Sequence, residues 1–125
     1  MLRETENNCE ANNNSKEIRL VSNIEKALEL IYDEYATNLT VERAAEVCGY
    51  GKSNFCKIFR RITGDTFHNV LNRYRITMAC NLLDKTNYSV EQIATEVGFS
   101  EIKTLCRVFK SFMGMTTGEY RKKNK

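Results

Sequence analysis

Two runs of the chain repeat one arrangement of reactive side chains. FCKIFRRITG occupies 55–64 and LCRVFKSFMG occupies 105–114, so Cys56 precedes Lys57 and Cys106 precedes Arg107, with Arg60, Arg61 and Lys110 following. Ammonium and guanidinium groups donate hydrogen bonds to anions, phosphate above all, and a thiol beside them adds a small apolar contact. Proton-relay or metal chemistry finds no comparable pattern. His68 is the single histidine, with no carboxylate beside it in sequence. The five cysteines (Cys9, Cys48, Cys56, Cys80, Cys106) are odd in number and form no C-x-x-C pair. That argues against both a disulfide framework and a zinc knuckle, and points to reduced thiols in a cytoplasmic protein. There is no phosphate-binding glycine loop, dinucleotide fingerprint or nucleophile elbow, and the thiols are not clustered for alkyl transfer. The chain is therefore expected to be no enzyme and to need no cofactor and no metal.

Charge agrees with the anion reading. The 125 residues carry a formal net charge of +3, but residues 1–50 hold five basic and ten acidic side chains while residues 51–125 hold fourteen basic and six acidic. A basic C-terminal part is the electrostatic footprint of a protein that meets phosphates. Hydrophobic residues at 42% and charged residues at 28% suit one folded domain, and no apolar run reaches the length of a membrane span. No membrane association is expected. The opening residues lack the apolar stretch of a signal peptide.

What must position the cations is a duplicated unit. TVERAAEVCGYG (40–51) aligns with SVEQIATEVGFS (89–100) at an offset of 49, and after one inserted residue the two cationic runs align at an offset of 50. Each unit reads as helix, turn, helix. Thr40 and Ser89 are suited to cap a first helix. Val41, Ala44, Ala45 and Cys48, and likewise Val90, Ile93, Ala94 and Val97, follow the i, i+3, i+4, i+7 spacing of one buried stripe. Gly49 and Gly98 stand where the chain must turn at positive φ, each followed by an aromatic (Tyr50, Phe99) expected to pack between the helices.

The second helices repeat the same stripe spacing with Phe55, Ile58, Phe59 and Ile62, and with Leu105, Val108, Phe109 and Phe112. Their opposite faces carry Ser53, Asn54, Cys56, Lys57, Arg60 and Arg61 in one unit, and Ile102, Lys103, Cys106, Arg107 and Lys110 in the other. Short polar groups followed by cations suit a helix laid in the DNA major groove. An ordinary amphipathic helix could look like either one alone; two in matching frames behind glycine turns favour groove reading. Ser22 with Glu25 forms a capping box, and Ile24, Ala27, Leu28, Ile31, Tyr32 and Tyr35 form the stripe of an opening helix. Thr66 caps a long helix with Phe67, Val70, Leu71, Tyr74, Met78, Ala79 and Leu82 inward. From 66 to 83 it would be about 27 Å long, a strut able to hold two reading helices near one DNA turn apart, about 34 Å. A last short helix follows a second capping box, Thr116 with Glu119.

GYGKSNFCKIFRRITG (49–64), RITMACNLLDKT (75–86) and IATEVGFSEIKTLCRVFKSFMGMTTGEYR (93–121) resemble the DNA-binding domain of AraC/XylS-type bacterial transcription regulators, over roughly residues 22–123. The resemblance implies an all-α fold of about seven helices. It comprises two homeodomain-like helix-turn-helix subdomains (about 22–64 and about 88–123) joined by a linker helix (about 66–84), behind a flexible linker or tail at 1–21. It implies sequence-specific binding of double-stranded DNA through two adjacent major-groove segments. By position in the motif, Ser53, Asn54, Cys56, Lys57, Ile102, Lys103, Cys106 and Arg107 would face bases. Lys52, Arg60, Arg61 and Lys110 would contact phosphates. Such a module is expected to be the C-terminal part of a longer effector-responsive regulator, an activator with RNA polymerase as a second partner. Alone it would be monomeric; the full-length protein could be dimeric.

Departures from the family pattern fall at Gly51, where a serine-like cap is usual, at Thr117, usually proline, and at Val70, usually aromatic. The competing class is a helical interaction module whose basic face meets an acidic partner.

Overall fold

The computed structural model describes the backbone of residues 8–123 and side chains from residue 15. Among the described residues there are seven helices and no strand: α1 (Asn8–Glu34), α2 (Val41–Cys48), α3 (Lys52–Thr63), α4 (Phe67–Lys85), α5 (Val90–Val97), α6 (Ile102–Met113) and α7 (Thr117–Lys123). The all-α architecture expected from the two matched units is present.

Two cores divide the chain, and α4 belongs to both. Ile24, Ala27, Leu30 and Ile31 of α1 close over Val41, Ala44, Ala45 and Cys48 of α2, Phe55 and Phe59 of α3, and Phe67 and Leu71 from the first half of α4. The second core takes Ile76, Ala79 and Leu83 from the rest of α4, then Ile93, Ala94, Val97, Phe99, Leu105, Val108 and Phe109. The repeating unit is thus four helices, α1–α4 and α4–α7, with the middle helix shared. Its caps are those the sequence specified: the Thr66 hydroxyl accepts from the Asn69 amide at 3.1 Å. The Thr116 and Glu119 side chains each accept from the other's amide, at 3.1 and 2.9 Å.

Two expectations are corrected. Residues 8–21, expected as part of a linker or tail, continue α1 as helix, and Ser22 is an exposed interior residue of it rather than a cap. No proline or glycine interrupts that stretch, and Glu17 is held by Arg61 of α3 at 3.2 Å, so nothing ends the helix earlier. Residues 1–7 of the expected tail lie outside the described residues. Within α1 the buried stripe uses Leu30; Leu28 and Tyr32 are 38% and 67% exposed. At 100° per residue Leu28 and Leu30 flank the stripe of Ile24, Ala27 and Ile31 on opposite sides, with Tyr32 further out beyond Leu28, and it is the Leu30 flank that joins the core.

Candidate nucleic-acid interface

Each reading helix is aimed by the short helix before it. Thr40 caps α2 by accepting from the Arg43 amide at 3.2 Å, and Ser89 caps α5 by accepting from the Gln92 amide at 3.0 Å. Both helices end on a left-handed glycine, Gly49 at φ 83° and Gly98 at φ 98°. The next amide, of Tyr50 or Phe99, returns to the carbonyl of Ala45 or Ala94 at 2.9 Å in each case. The turns are the same construction used twice, so α3 and α6 leave their units in the same way.

Burial then fixes which face points out. Phe55 and Phe59 of α3 are fully buried, with ring centroids 5.5 Å apart and each within 6 Å of Phe67. In α6, Leu105 and Phe109 are fully buried and Phe109 meets Tyr120 edge-on at 5.7 Å. Rotating either aromatic face outward would surrender the largest contacts in its unit. All eight residues expected to face bases (Ser53, Asn54, Cys56, Lys57, Ile102, Lys103, Cys106, Arg107) are exposed, and so are Lys52, Arg60, Arg61 and Lys110. Beside α3, a shallow cavity of about 450 Å³ has Lys52, Lys57, Arg60 and Cys56 on its walls, and Val41 and Phe67 among its lining.

Two cations of α3 are already paired. Lys52 pairs with Glu42 at 3.1 Å and Arg61 with Glu17 at 3.2 Å, both well exposed. Such pairs contribute little in water, so exchanging a carboxylate for a phosphate costs little. On α6, Glu101 occupies the N-cap position without capping through its side chain, and Gly51 has no side chain to cap α3. Both helices therefore present uncapped amides at their positive ends, beside the residues that would enter a groove. No group of three or more potential metal-binding side chains is present among the described residues, and none of their helices is long and apolar enough to cross a membrane.

Sequence reasoning missed Arg75. It projects from α4 into the interior, 9% exposed, and its Nε and Nη2 donate to the carbonyls of Tyr35 and Thr37 at 2.8 and 3.0 Å. Burial pulls its pKa down from the ordinary arginine range. Arg121 of α7 does the same to the end of α4, donating to Leu83 and Thr86 at 3.2 Å each. No sequence signal marked Arg75: at the offset of 50 that aligns the two cationic runs, Arg121 falls opposite Leu71.

Comparison with known proteins agrees with this geometry. A family model described as a helix-turn-helix domain matches residues 44–123. An uncharacterized response regulatory protein of Staphylococcus epidermidis is 33% identical over 102 residues, which is 82% of this chain and 40% of that protein. The transcriptional regulatory protein HptR of Staphylococcus aureus is 32% identical over the same shares. The chain spans 40% of the length of these curated relatives. Among solved structures, the C-terminal domain of AraT, a response regulator from Geobacillus stearothermophilus, superposes with a TM-score of 0.78 at 24% identity, covering 81% of this chain and 84% of that one. The DNA-binding domain of AdpA, solved in complex with a target DNA, superposes with a TM-score of 0.76 at 24% identity over 80% of this chain and 90% of that one. With its twin helix-turn-helix units and a family match over most of its length, the chain belongs to the AraC-type helix-turn-helix DNA-binding family of bacterial transcription regulators.

Proposed function

We infer that this chain reads double-stranded DNA through two adjacent major-groove segments, one by α3 and one by α6, as the DNA-binding module of a longer transcription regulator. The observation that carries the reading is the outward presentation, in both units, of a short-polar and cationic face on a helix whose other face is fully buried. Ser53, Asn54, Cys56 and Lys57 would meet bases in one segment, and Ile102, Lys103, Cys106 and Arg107 in the next. Lysine and arginine donate to guanine O6 and N7, and Ile102 and the thiols pack on thymine methyls. Lys52, Arg60, Arg61 and Lys110 would hold the backbone, which sets register without specifying sequence. The relatives named as response and transcriptional regulators support a regulatory role for the whole protein; RNA polymerase as a second partner and dimerisation through other parts of the protein are proposed beyond what those names say. Selection of bound sequences from random duplexes, followed by titration across salt, tests the reading. The expected result is a two-segment consensus and affinity that falls steeply with salt. Equal affinity for every duplex would instead favour a basic interaction module with an acidic partner.

A further inference from the structure

The joint between the two units is built around one side chain. On one side, the Arg75 guanidinium donates to Tyr35 and Thr37, the carbonyls that follow α1. On the other, it lies over the ring of Phe99, in the turn between α5 and α6, at 5.4 Å from the centroid. Gly98 completes the contact. A Cβ there would collide with the Tyr35 carbonyl oxygen and crowd Arg75 Nε at 3.0 Å, so only a glycine lets this turn sit against the end of α1. A second arginine of α4 spans the same division: Arg73 pairs with Asp65 at 3.1 Å and lies 5.5 Å from the Phe112 ring centroid on α6. Arg121 has the same fork geometry as Arg75, but both its acceptors, Leu83 and Thr86, lie in or just after α4. It closes one unit and touches no joint.

We propose that Arg75, clamped between the Tyr35–Thr37 carbonyls and the Phe99 ring, is a positioning residue that fixes the separation of α3 and α6 and so makes the spacing between the two DNA segments a determinant of specificity. The inference rests on the two-segment reading above. A guanidinium suits this place because a planar fork satisfies two carbonyls while its face stacks on a ring, which an ammonium cannot do. Inserting one base pair between the segments rotates the second by about 35° and moves it by about 3.4 Å. A rigid joint cannot follow that change; a loosened one can.

Two measurements test this, one without DNA. Cys56 and Cys106 are exposed at matching positions on α3 and α6, whereas Cys48 is buried. With Cys9 and the half-buried Cys80 replaced by serine, nitroxide labels on Cys56 and Cys106 report the helix separation by pulsed electron paramagnetic resonance. Arg75→Met should broaden the distance distribution, and Arg121→Met should leave its width unchanged. In binding, a one-base-pair insertion between the selected segments should cost the parent protein about a hundredfold, the scale of lost bivalency. Arg75→Met should bind the original site more weakly but lose less than about tenfold on the insertion, while Arg121→Met keeps the full penalty. Phe99→Leu removes the stacking face while keeping an apolar side chain in the second core, and carries the same two readouts should Arg75→Met fail to fold. A distribution as narrow as the parent's, with an unchanged insertion penalty, overturns the proposal. Broadening on Arg75→Met in a protein that selects no DNA sequence would keep the joint and discard the DNA reading.

Discussion

At the scale of single residues, similar cations are expected to behave differently because of where each stands on its helix. Arg107 lies on the face opposite Leu105 and Phe109, with Lys103 and Cys106 beside it, whereas Lys110 lies a turn further toward the C-terminus of α6. Arg107→Ala is expected to cost about 1–3 kcal/mol on the selected site and to relax preference at one base pair. Lys110→Ala should weaken all duplexes alike and reduce the magnitude of the salt slope by about one. Parallel titrations on the selected and scrambled duplexes separate the two. An Arg107→Ala loss equal on both duplexes would assign that side chain to the backbone instead. Lys52 and Arg61, which begin in exposed ion pairs with Glu42 and Glu17, should show effects close to that of Lys110, because such pairs contribute little in water and give way to phosphate at little cost.

Among the elements, the helix-turn-helix pairs were legible because local chemistry alone decides them. Thr40, Ser89, Thr66 and Thr116 each cap the helix expected of them, and the α2, α3, α5 and α6 stripes lie on the faces their spacing set. What could not be read depends on contacts between distant segments. The first turns of α1 carry no apolar stripe to read, and the described Ile18 there is exposed. Nothing local marks Arg75 as an interior residue, since its acceptors lie 40 and 38 residues away. The exposed candidate residues were legible for the opposite reason: outward residues follow from knowing which face is buried. Gly98 shows both kinds of information at one position. Its positive φ was readable from the end of α5, but its closeness to Tyr35 was not. Gly49 has the same kind of turn with open space where a Cβ would go. Gly49→Ala should therefore cost about 1–2 kcal/mol, the left-handed backbone term alone. Gly98→Ala should cost clearly more, because backbone atoms must also move apart. Urea unfolding of the two variants measures the difference, and equal losses would show that the joint yields without resistance.

For the molecule as a whole, ionisation defines a plateau of stability with an acid edge and an alkaline edge. Four carboxylates are held below their ordinary values: Glu34 chiefly by its hydrogen bond from Arg43, Glu42 by that from Lys52, Asp65 by that from Asn69, and Glu119 by the Thr116 amide. A depressed folded-state pKa means the ionised form is favoured by folding. That contribution is complete above the unfolded values, 4.5 for glutamate and 3.8 for aspartate, and is lost as pH falls through the lower folded values. Three of the four sit in the first unit or at its junction with α4, where they pair with Arg43, Lys52 and Arg73. Protonating them also removes negative charge from a chain that is already +3, so self-repulsion grows in the same direction. At the other edge, burial pushes the Cys48 and Cys80 thiols and the Tyr74 hydroxyl up. Folding favours the protonated form of these groups, so their contribution is complete below the ordinary values, 9.0 for the thiols and 10.0 for the tyrosine, and is lost as pH rises from there through the raised folded values. The urea midpoint should accordingly stay level between about pH 6 and about pH 8 and fall below about pH 4. Glu34→Gln removes one of the acid-edge groups while leaving the side chain's shape, so its midpoint should be lower than the parent's at neutral pH and converge on it in acid. A parent midpoint that stays level to about pH 3 would mean these carboxylates keep the same partners in the unfolded chain.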